Sequence, residues 1–484
     1  MSRSLSERRQ PPLELAERLA RHRQEHLLRW WSELDEPARA TLAAEIGALP
    51  LDQLDGLIAE LVHGASQPES INPASVRSVE VNRLPRTDAE RVARRHAASI
   101  GEAMLADGEV AVVVVAGGQG TRLGYEGPKG TFPIGPVSGA SLFEIHAHKS
   151  VALSRRYGRL IPFYVMTSPA NDEATRRFFA EHGNFGLAHV RFFVQGQMPA
   201  VDRATGRILL ADKGHIALSP DGHGGTIAAL AAPGPAREPS CLDEMRDLGI
   251  RTVFYFQVDN PLVQIADPAF LGLHRQAAAD VSFKVVEKTD PNERVGLVVE
   301  VEGRPRVIEY SDLAPELAER RQPDGSLELW AGSIAIHGFE RTFLERLAAG
   351  GGQLPFHRAV KKVPYLDDSG ARVEPSEPNA VKFERFIFDA LPLAERWAIV
   401  ETDRAVEFEP LKNRTGAESP ASVRQRMSDL FAGWLESAGA KVERRPDGTV
   451  PFGIEISPLY ALDAAELKAK LPEGLVVEGP LYLR

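Results

Sequence analysis

Residues 112–135 read VVVVAGGQGTRLGYEGPKGTFPIG, and this stretch decides the fold. The run from Glu109 to Ala116 is almost entirely valine and alanine, the pattern of a central parallel strand covered on both faces. A sharp turn follows at Gly117, Gly118 and Gly120. Glycine permits backbone conformations barred to other residues and leaves no side chain between the amide groups and a ligand. Successive exposed N–H groups form an anion cradle. Arg122, through its planar fork, and Lys129, as a mobile point charge, add positive charge within reach of the same anion. A nucleotide or polyphosphate is the expected guest.

Two commoner glycine motifs are excluded. The dinucleotide fingerprint G-x-G-x-x-G fails because Leu123 stands where its third glycine belongs. The Walker A loop fails because Lys129-Gly130-Thr131 has the wrong order. A lone glycine-rich turn could equally be structural, but T-R-L-G-x-x-x-P-K behind it favours the phosphate reading.

Outward from the loop, helical and strand patterns alternate from about Asp88 to Asp403. Leu160 to Thr167, Val190 to Val194, Thr252 to Val258 and Val281 to Val286 read as strands. Helices are expected at Asp172 to His182, capped by Asn171, and after Pro268. Such alternation predicts a doubly wound α/β domain with a mainly parallel sheet, a Rossmann-like arrangement whose ligands sit beyond the carboxyl ends of the strands. Before it, apolar residues from Leu13 to Leu34 recur at helical spacing, with further helices from Pro37 to Ile46 and Leu51 to Val62. Trp30 and Trp31 are read as core rather than as a partner surface. A Pro- and Ser-containing stretch runs from Gln67 to Pro85. After a polar linker at Arg414 to Pro420, a helix from Val423 to Ser437 precedes short strands near Ile454 to Ile456, Leu475 to Glu478 and Leu481 to Leu483. The expected sections are therefore an N-terminal helical one at 1–87, a catalytic α/β domain at 88–410 and a small β-rich one at 411–484.

The chain's 484 residues are long for one core, in keeping with several domains. A formal net charge of −10 argues against broad nucleic-acid binding while leaving room for a local basic pocket. Cys241 is the only cysteine, so neither an internal disulfide nor a thiolate metal cluster can form. The N-terminus lacks the apolar core of a signal peptide and no window reaches the length of a membrane span, so a cytoplasmic location is expected.

Asp259 ends the apolar run RTVFYFQVDN, at the same sheet edge as the glycine loop. One carboxylate facing a polyphosphate suffices for Mg²⁺, which completes its shell with phosphates and water; the competing reading is a cap on the turn through Asn260-Pro261. Ser219 to Gly225, SPDGHGG, is a second loop where Gly222, Gly224 and Gly225 could admit a base or sugar close to the main chain. Glu309, Ser333 and Lys412 stand beside strand-like runs, each by itself consistent with a solvated or structural role.

In this order, VAGGQGTRLG, GPKG, PFYVMTSP, FFVQGQMPA, SPDGHGG, VDNPLVQIADP, KVVEKTDP, VIEYSDL, AGSIAIH, KKVPYLD, KFERFIFD and EFEPLKN resemble the UDP-sugar pyrophosphorylase family, most closely its UDP-N-acetylhexosamine branch. The resemblance spans roughly 108–413, with a weaker echo at Glu455 to Leu459. It implies uridylyl transfer from UTP to a sugar 1-phosphate, giving a UDP-sugar and pyrophosphate. Ala116, Gly117, Gly118, Gly120, Thr121 and Arg122 would hold the nucleotide phosphates. Lys129 would neutralise the reacting phosphoryl group, with Lys412 reaching the phosphates from the C-terminal side. Gln195 and the backbone of Gly222 would read the uracil, Asp259 would hold Mg²⁺, and Glu309 would bind sugar hydroxyls.

This chain departs from that branch at His223 and Ser333, where asparagine is usual and both positions face the sugar; Ile336 also replaces a polar residue. Overall similarity still implies N-acetylglucosamine 1-phosphate as substrate, with glucose 1-phosphate, or a broad range of sugar 1-phosphates, the alternative. A nucleotide-sugar-binding regulatory protein without turnover is a further alternative, as is a partner-binding role for the N-terminal section.

Overall fold

The computed structural model describes residues 10–64, 72–234, 237–349 and 354–484. Residues 1–9, which include the start of the segment read for a leader, and 67–71 of the Pro- and Ser-containing stretch lie outside them. The chain forms two compact units. One comprises Ile71–Gln195, Thr226–Gln353 and Phe388–Arg484; the other comprises Met1–Ser70, Gly196–Gly225 and Leu354–Ile387.

The first unit is built on a sheet of ten strands. In chain order these are β1 (Val76–Ser78), β2 (Val110–Val115), β3 (Phe163–Thr167), β4 (Val190–Val194), β5 (Thr252–Gln257), β6 (Val281–Glu287), β7 (Leu297–Val301), β8 (Arg304–Ile308), β9 (Ala331–Glu340) and β10 (Trp397–Glu401). The main path runs β1–β7–β9–β5–β2–β3–β4. Strands β5, β2, β3 and β4 are parallel, in the register Phe254↔Val112↔Phe163↔Val190. Strand β9 runs antiparallel to β5 and β6, while β6 and β10 pair parallel. The sheet is therefore parallel where the glycine loop emerges and mixed beyond it.

Val110, Val112 and Val114 on β2 lie in the main core with Phe163, Phe254 and Phe256. Helix α1 (Asp88–Ala106) starts at a capping box formed by Thr87 and Glu90. Helix α2 (Leu142–Tyr157) begins at Ser141, whose side chain accepts from Glu144 N–H. Helices α3 (Pro268–Gln276) and α4 (Pro420–Ser437) follow. The far end of α4 packs with the short C-terminal strands around a smaller core containing Leu435, Ile454, Ile456 and Leu467.

His146, on the buried face of α2, is fully buried. Its Nε2 lies 3.0 Å from the carbonyl oxygen of Val258, one residue before Asp259. Burial, assisted by the charge of Lys149, pushes the imidazole down to about 3. The native ring is neutral at pH 7, and its Nε2–H donates to that carbonyl. Because the folded value lies below the unfolded one, this contribution is present above pH 6.5 and is lost as the pH falls towards 3. Urea midpoints at pH 7 and pH 4 should fall for the wild type and fall much less for His146→Gln. Equal falls in both proteins would remove His146 from acid sensitivity.

In the second unit the periodicity from Leu13 to Leu34 does not form one helix. The α-helix covers Leu13–Arg21, and single turns at Glu25–Leu28 and Trp31–Glu33 follow. Arg23 takes φ +57°, which breaks the helix. Gln24 is buried and accepts a hydrogen bond from Ile208 N–H at 2.9 Å, so a long-range contact overrides the local pattern. Trp31 is buried in the core with Leu27, Leu42, Ile208 and Phe383, and Trp30 packs against it. Helices Glu36–Ala48 and Leu51–Leu57 pack on the same core, which also draws on the strand Ala380–Arg385. No described helix is long and apolar enough to cross a membrane.

Candidate active site at the carboxyl end of β2

The loop leaving β2 folds back on itself. Gly120 N–H donates to Gly127 O at 3.0 Å, and Lys129 N–H donates to Gly118 O at 3.0 Å. None of Gly117, Gly118 and Gly120 uses the left-handed backbone that the sequence suggests; Gly124 (φ +68°) and Gly127 (φ +134°) do. Gly117 and Gly120 are needed for close approach instead. A side chain at Gly117 would collide with Gln195 Oε1, and one at Gly120 would meet the Tyr125 ring. The corresponding face of Gly118 is open, a place where a ligand can reach the main chain. Ala116 is buried, while Thr121 and Arg122 are exposed on the turn Thr121–Leu123.

Lys129 Nζ lies 2.9 Å from Asp259 Oδ2, with both side chains mostly buried. Asp259 stands two residues beyond the end of β5, and the turn-capping alternative yields to this long-range pair. Burial opposes ionisation of Asp259, but the charges of Lys129 and Lys412 overcome it and hold the carboxyl below the usual carboxylate range. Leu411 N–H donates to Asp259 O at 2.8 Å, which fastens the Lys412 segment to the same strand end. Lys412 Nζ itself lies 3.1 Å from Glu418 Oε1. The structure thus brings Lys129, Asp259 and Lys412 together beside the glycine loop.

Gln195, buried after β4, donates its N–H to Thr167 O at 2.9 Å. Its carboxamide lies against Gly117. Glu309 and Ser333 meet around Gly296: Ser333 N–H donates to Gly296 O at 2.8 Å, and a side chain at Gly296 would sit 3.2 Å from Glu309 Oε1. Ile336, on the same strand as Ser333, is 1% exposed and belongs to the main core; it does not flank Ser333 on an open face.

The SPDGHGG loop belongs to the other unit. Gly222 has φ +86°, and a side chain there would overlap the Arg385 carbonyl, so both conformation and space require glycine. His223 Nδ1 accepts from Ile387 N–H at 3.1 Å. Burial pushes the ring down to about 4; it is neutral at pH 7 and carries its proton on Nε2.

Two supports escaped the sequence reading. Asn171 occupies the N-cap position of the helix Asp172–Glu181, but its side chain makes no cap hydrogen bond. Its Nδ2–H instead donates to Ala116 O at 2.8 Å, and its Oδ1 accepts from Ser168 N–H at 2.8 Å. Ser168 Oγ donates to Gly117 O at 2.8 Å. The turn after β3 therefore latches the glycine loop. Deeper lies Lys284, fully buried, with Nζ 2.8 Å from Asp267 Oδ2 and 2.6 Å from Glu407 Oε2. Glu407 O accepts from Asn260 Nδ2 at 2.7 Å, so this ion cluster braces the loop that carries Asp259. Lysine in the middle of the apolar strand VSFKVVE was the available sequence signal.

Residues 51–390 match the family model described as UTP–glucose-1-phosphate uridylyltransferase. The chain is 37% identical to the human UDP-N-acetylhexosamine pyrophosphorylase-like protein 1, over 96% of each chain. It is 36% identical to the UDP-N-acetylglucosamine pyrophosphorylase of Saccharomyces cerevisiae, over 94% of this chain and 97% of that one. The crystal structure of the Trypanosoma brucei uridine diphosphate N-acetylglucosamine pyrophosphorylase superposes with a TM-score of 0.81 at 27% identity, covering 96% of this chain and 97% of that chain. The Leishmania major UDP-glucose pyrophosphorylase, at 16% identity and TM-score 0.59, shares the fold. The glycine loop, the Lys129–Asp259 pair and this similarity over nearly the whole length lead to one conclusion: the chain belongs to the UTP–glucose-1-phosphate uridylyltransferase family.

Proposed function

We propose that this protein transfers a uridylyl group from UTP to a sugar 1-phosphate, with N-acetylglucosamine 1-phosphate as the preferred acceptor. The observation that carries the reading is the placement of Lys129, Asp259 and Lys412 beside a glycine loop in a chain 36–37% identical to N-acetylhexosamine and N-acetylglucosamine pyrophosphorylases.

A phosphate oxygen of the sugar 1-phosphate attacks the α-phosphorus of UTP in line with departing pyrophosphate, so no protein nucleophile is required. Positioning and charge stabilisation do the work. Gly117, Gly118 and Gly120 keep side chains away from the phosphates, while Arg122, Lys129 and Lys412 offset charge in the transition state. Within the unit that carries the glycine loop, Gln195 reads the uracil, and Glu309 and Ser333 bind the sugar.

Among the described residues no group of three or more His, Cys, Asp or Glu side chains could hold a metal. One carboxylate, Asp259, fits Mg²⁺ that arrives with the nucleotide and draws its remaining ligands from phosphate and water. Bound there, the ion would polarise the phosphoryl oxygens. The lone cysteine, Cys241, is free and buried, which supports a cytoplasmic location.

His223 and Ser333 favour glucose 1-phosphate as the second reading, because neither presents the separate carbonyl acceptor and NH2 donor of a carboxamide, and His223 Nδ1 is taken by Ile387 N–H. Pyrophosphate release with UTP and Mg²⁺ should give the highest kcat/KM for N-acetylglucosamine 1-phosphate among acetylated and plain glucose and galactose 1-phosphates. Preference for glucose 1-phosphate would make His223 and Ser333 the specificity switch. Tight UTP binding without release from any sugar would assign the protein to the binding class.

A further inference from the structure

Both lysines at the glycine loop are matched by carboxylates. Lys129 is paired with Asp259 and Lys412 with Glu418. Arg122 is exposed on its turn. A triphosphate carries several negative charges, so a site for it needs a surplus of cations. Arg414 supplies one.

Arg414 lies two residues beyond Lys412, in a tightly tied turn. Lys412 N–H and Asn413 N–H both donate to Glu418 O, at 2.7 and 3.0 Å. Asn413 Nδ2–H donates to Ala417 O at 2.9 Å. Gly416 and Glu418 adopt φ +80° and +55° to close it. The turn directs the Arg414 side chain over the glycine loop: its Cδ, Nε and Nη1 each lie 3.6 Å from the position a Cβ would take on Gly124. The guanidinium therefore lies flat against the loop. Arg414 is exposed, and among the described residues its side chain has no hydrogen bond, ion pair or ring contact. The acidic residue of the same turn, Glu418, is taken by Lys412.

We propose that Arg414 is a further phosphate-binding residue, which contacts the triphosphate of UTP beside the glycine loop. This rests on the uridylyltransferase reading above. A planar guanidinium can clamp two phosphate oxygens at once, which a lysine cannot do. Held by the turn, the group is positioned before the nucleotide arrives, so little ordering cost opposes its contact.

The test compares wild type, Arg414→Ala and Arg414→Lys by initial rates and by calorimetric binding of UTP and of inorganic pyrophosphate in the absence of sugar. Loss of one charge-assisted phosphate contact should raise KM for UTP and weaken both bindings about tenfold in Arg414→Ala. The KM for the sugar 1-phosphate and the melting temperature should stay within about twofold and a degree or two of wild type. Arg414→Lys should recover part of the loss. Unchanged UTP and pyrophosphate binding in Arg414→Ala overturns the proposal, as does a uniform loss of all parameters together with a lowered melting temperature. If wild type binds UTP without turning over any sugar phosphate, the uridylyltransferase reading fails, and the calorimetric comparison still decides on Arg414.

Discussion

Lys129→Ala should lower kcat by about 10²–10³, the usual effect of removing one donor aimed at developing charge. The loss should appear in kcat more than in KM if Lys129 acts on the transition state. The ion pair adds a second, independent signature. In the wild type, Lys129 is the leading charge that holds Asp259 ionised against burial. Without it the carboxyl titrates at higher pH, so the acid limb of the kcat/KM profile should move upward. Arg at this position keeps the charge and should limit the shift, although its fork does not reproduce the single contact at 2.9 Å. The fold should survive, because Lys412 still faces Asp259. Near-normal turnover with an unmoved acid limb would exclude Lys129 from the reaction and from tuning Asp259.

Lys284→Met should destabilise the protein by about 3–5 kcal/mol, the expected cost of leaving buried charges without their partner. Lys284 and Glu407 are both fully buried. Glu407 also accepts from Gln264 N–H at 3.0 Å and Thr402 Oγ1 at 2.7 Å. Burial opposes the charge on Lys284, but Asp267 and Glu407 outweigh it and raise the ammonium above the ordinary lysine value. A raised lysine contributes stability that is full below the unfolded value and is lost only as the pH climbs through the folded one, so the cluster is intact at neutral pH. Denaturant unfolding at pH 7 measures the effect. The double variant Lys284→Met/Glu407→Gln should recover part of the loss, since it removes one of the two stranded carboxylates. A change below about 1 kcal/mol in the single variant would mean that water or rearrangement compensates the carboxylates and that the cluster does not brace the Asp259 loop.

These two variants also separate what could be read along the chain from what could not. Strand β2 was legible because a run of β-branched residues buried on both faces has few alternatives, and strands Val190–Val194 and Ile454–Ile456 match the sequence reading residue for residue. The glycine loop was legible because its chemistry is local. The helix expected from Leu13 to Leu34 failed where Gln24 turned to meet Ile208, a contact that no spacing within the segment encodes. Asn171 has the right type for a cap, yet its side chain serves the glycine loop, because the buried carbonyl of Ala116, with that of Gly118, competes for it.

By itself, then, the sequence determined the identity of the elements, the phosphate loop and the types of charged residue available to it, since periodicity, β-branching and turn chemistry act over a few residues. The tertiary structure alone decided which charges meet. Lys129 and Asp259 are 130 positions apart, and Lys284 and Glu407 are 123 apart; the sheet brings each pair within hydrogen-bond distance. It also decided that Gly117 and Gly120 serve close approach rather than left-handed backbone, because that distinction depends on what packs against them.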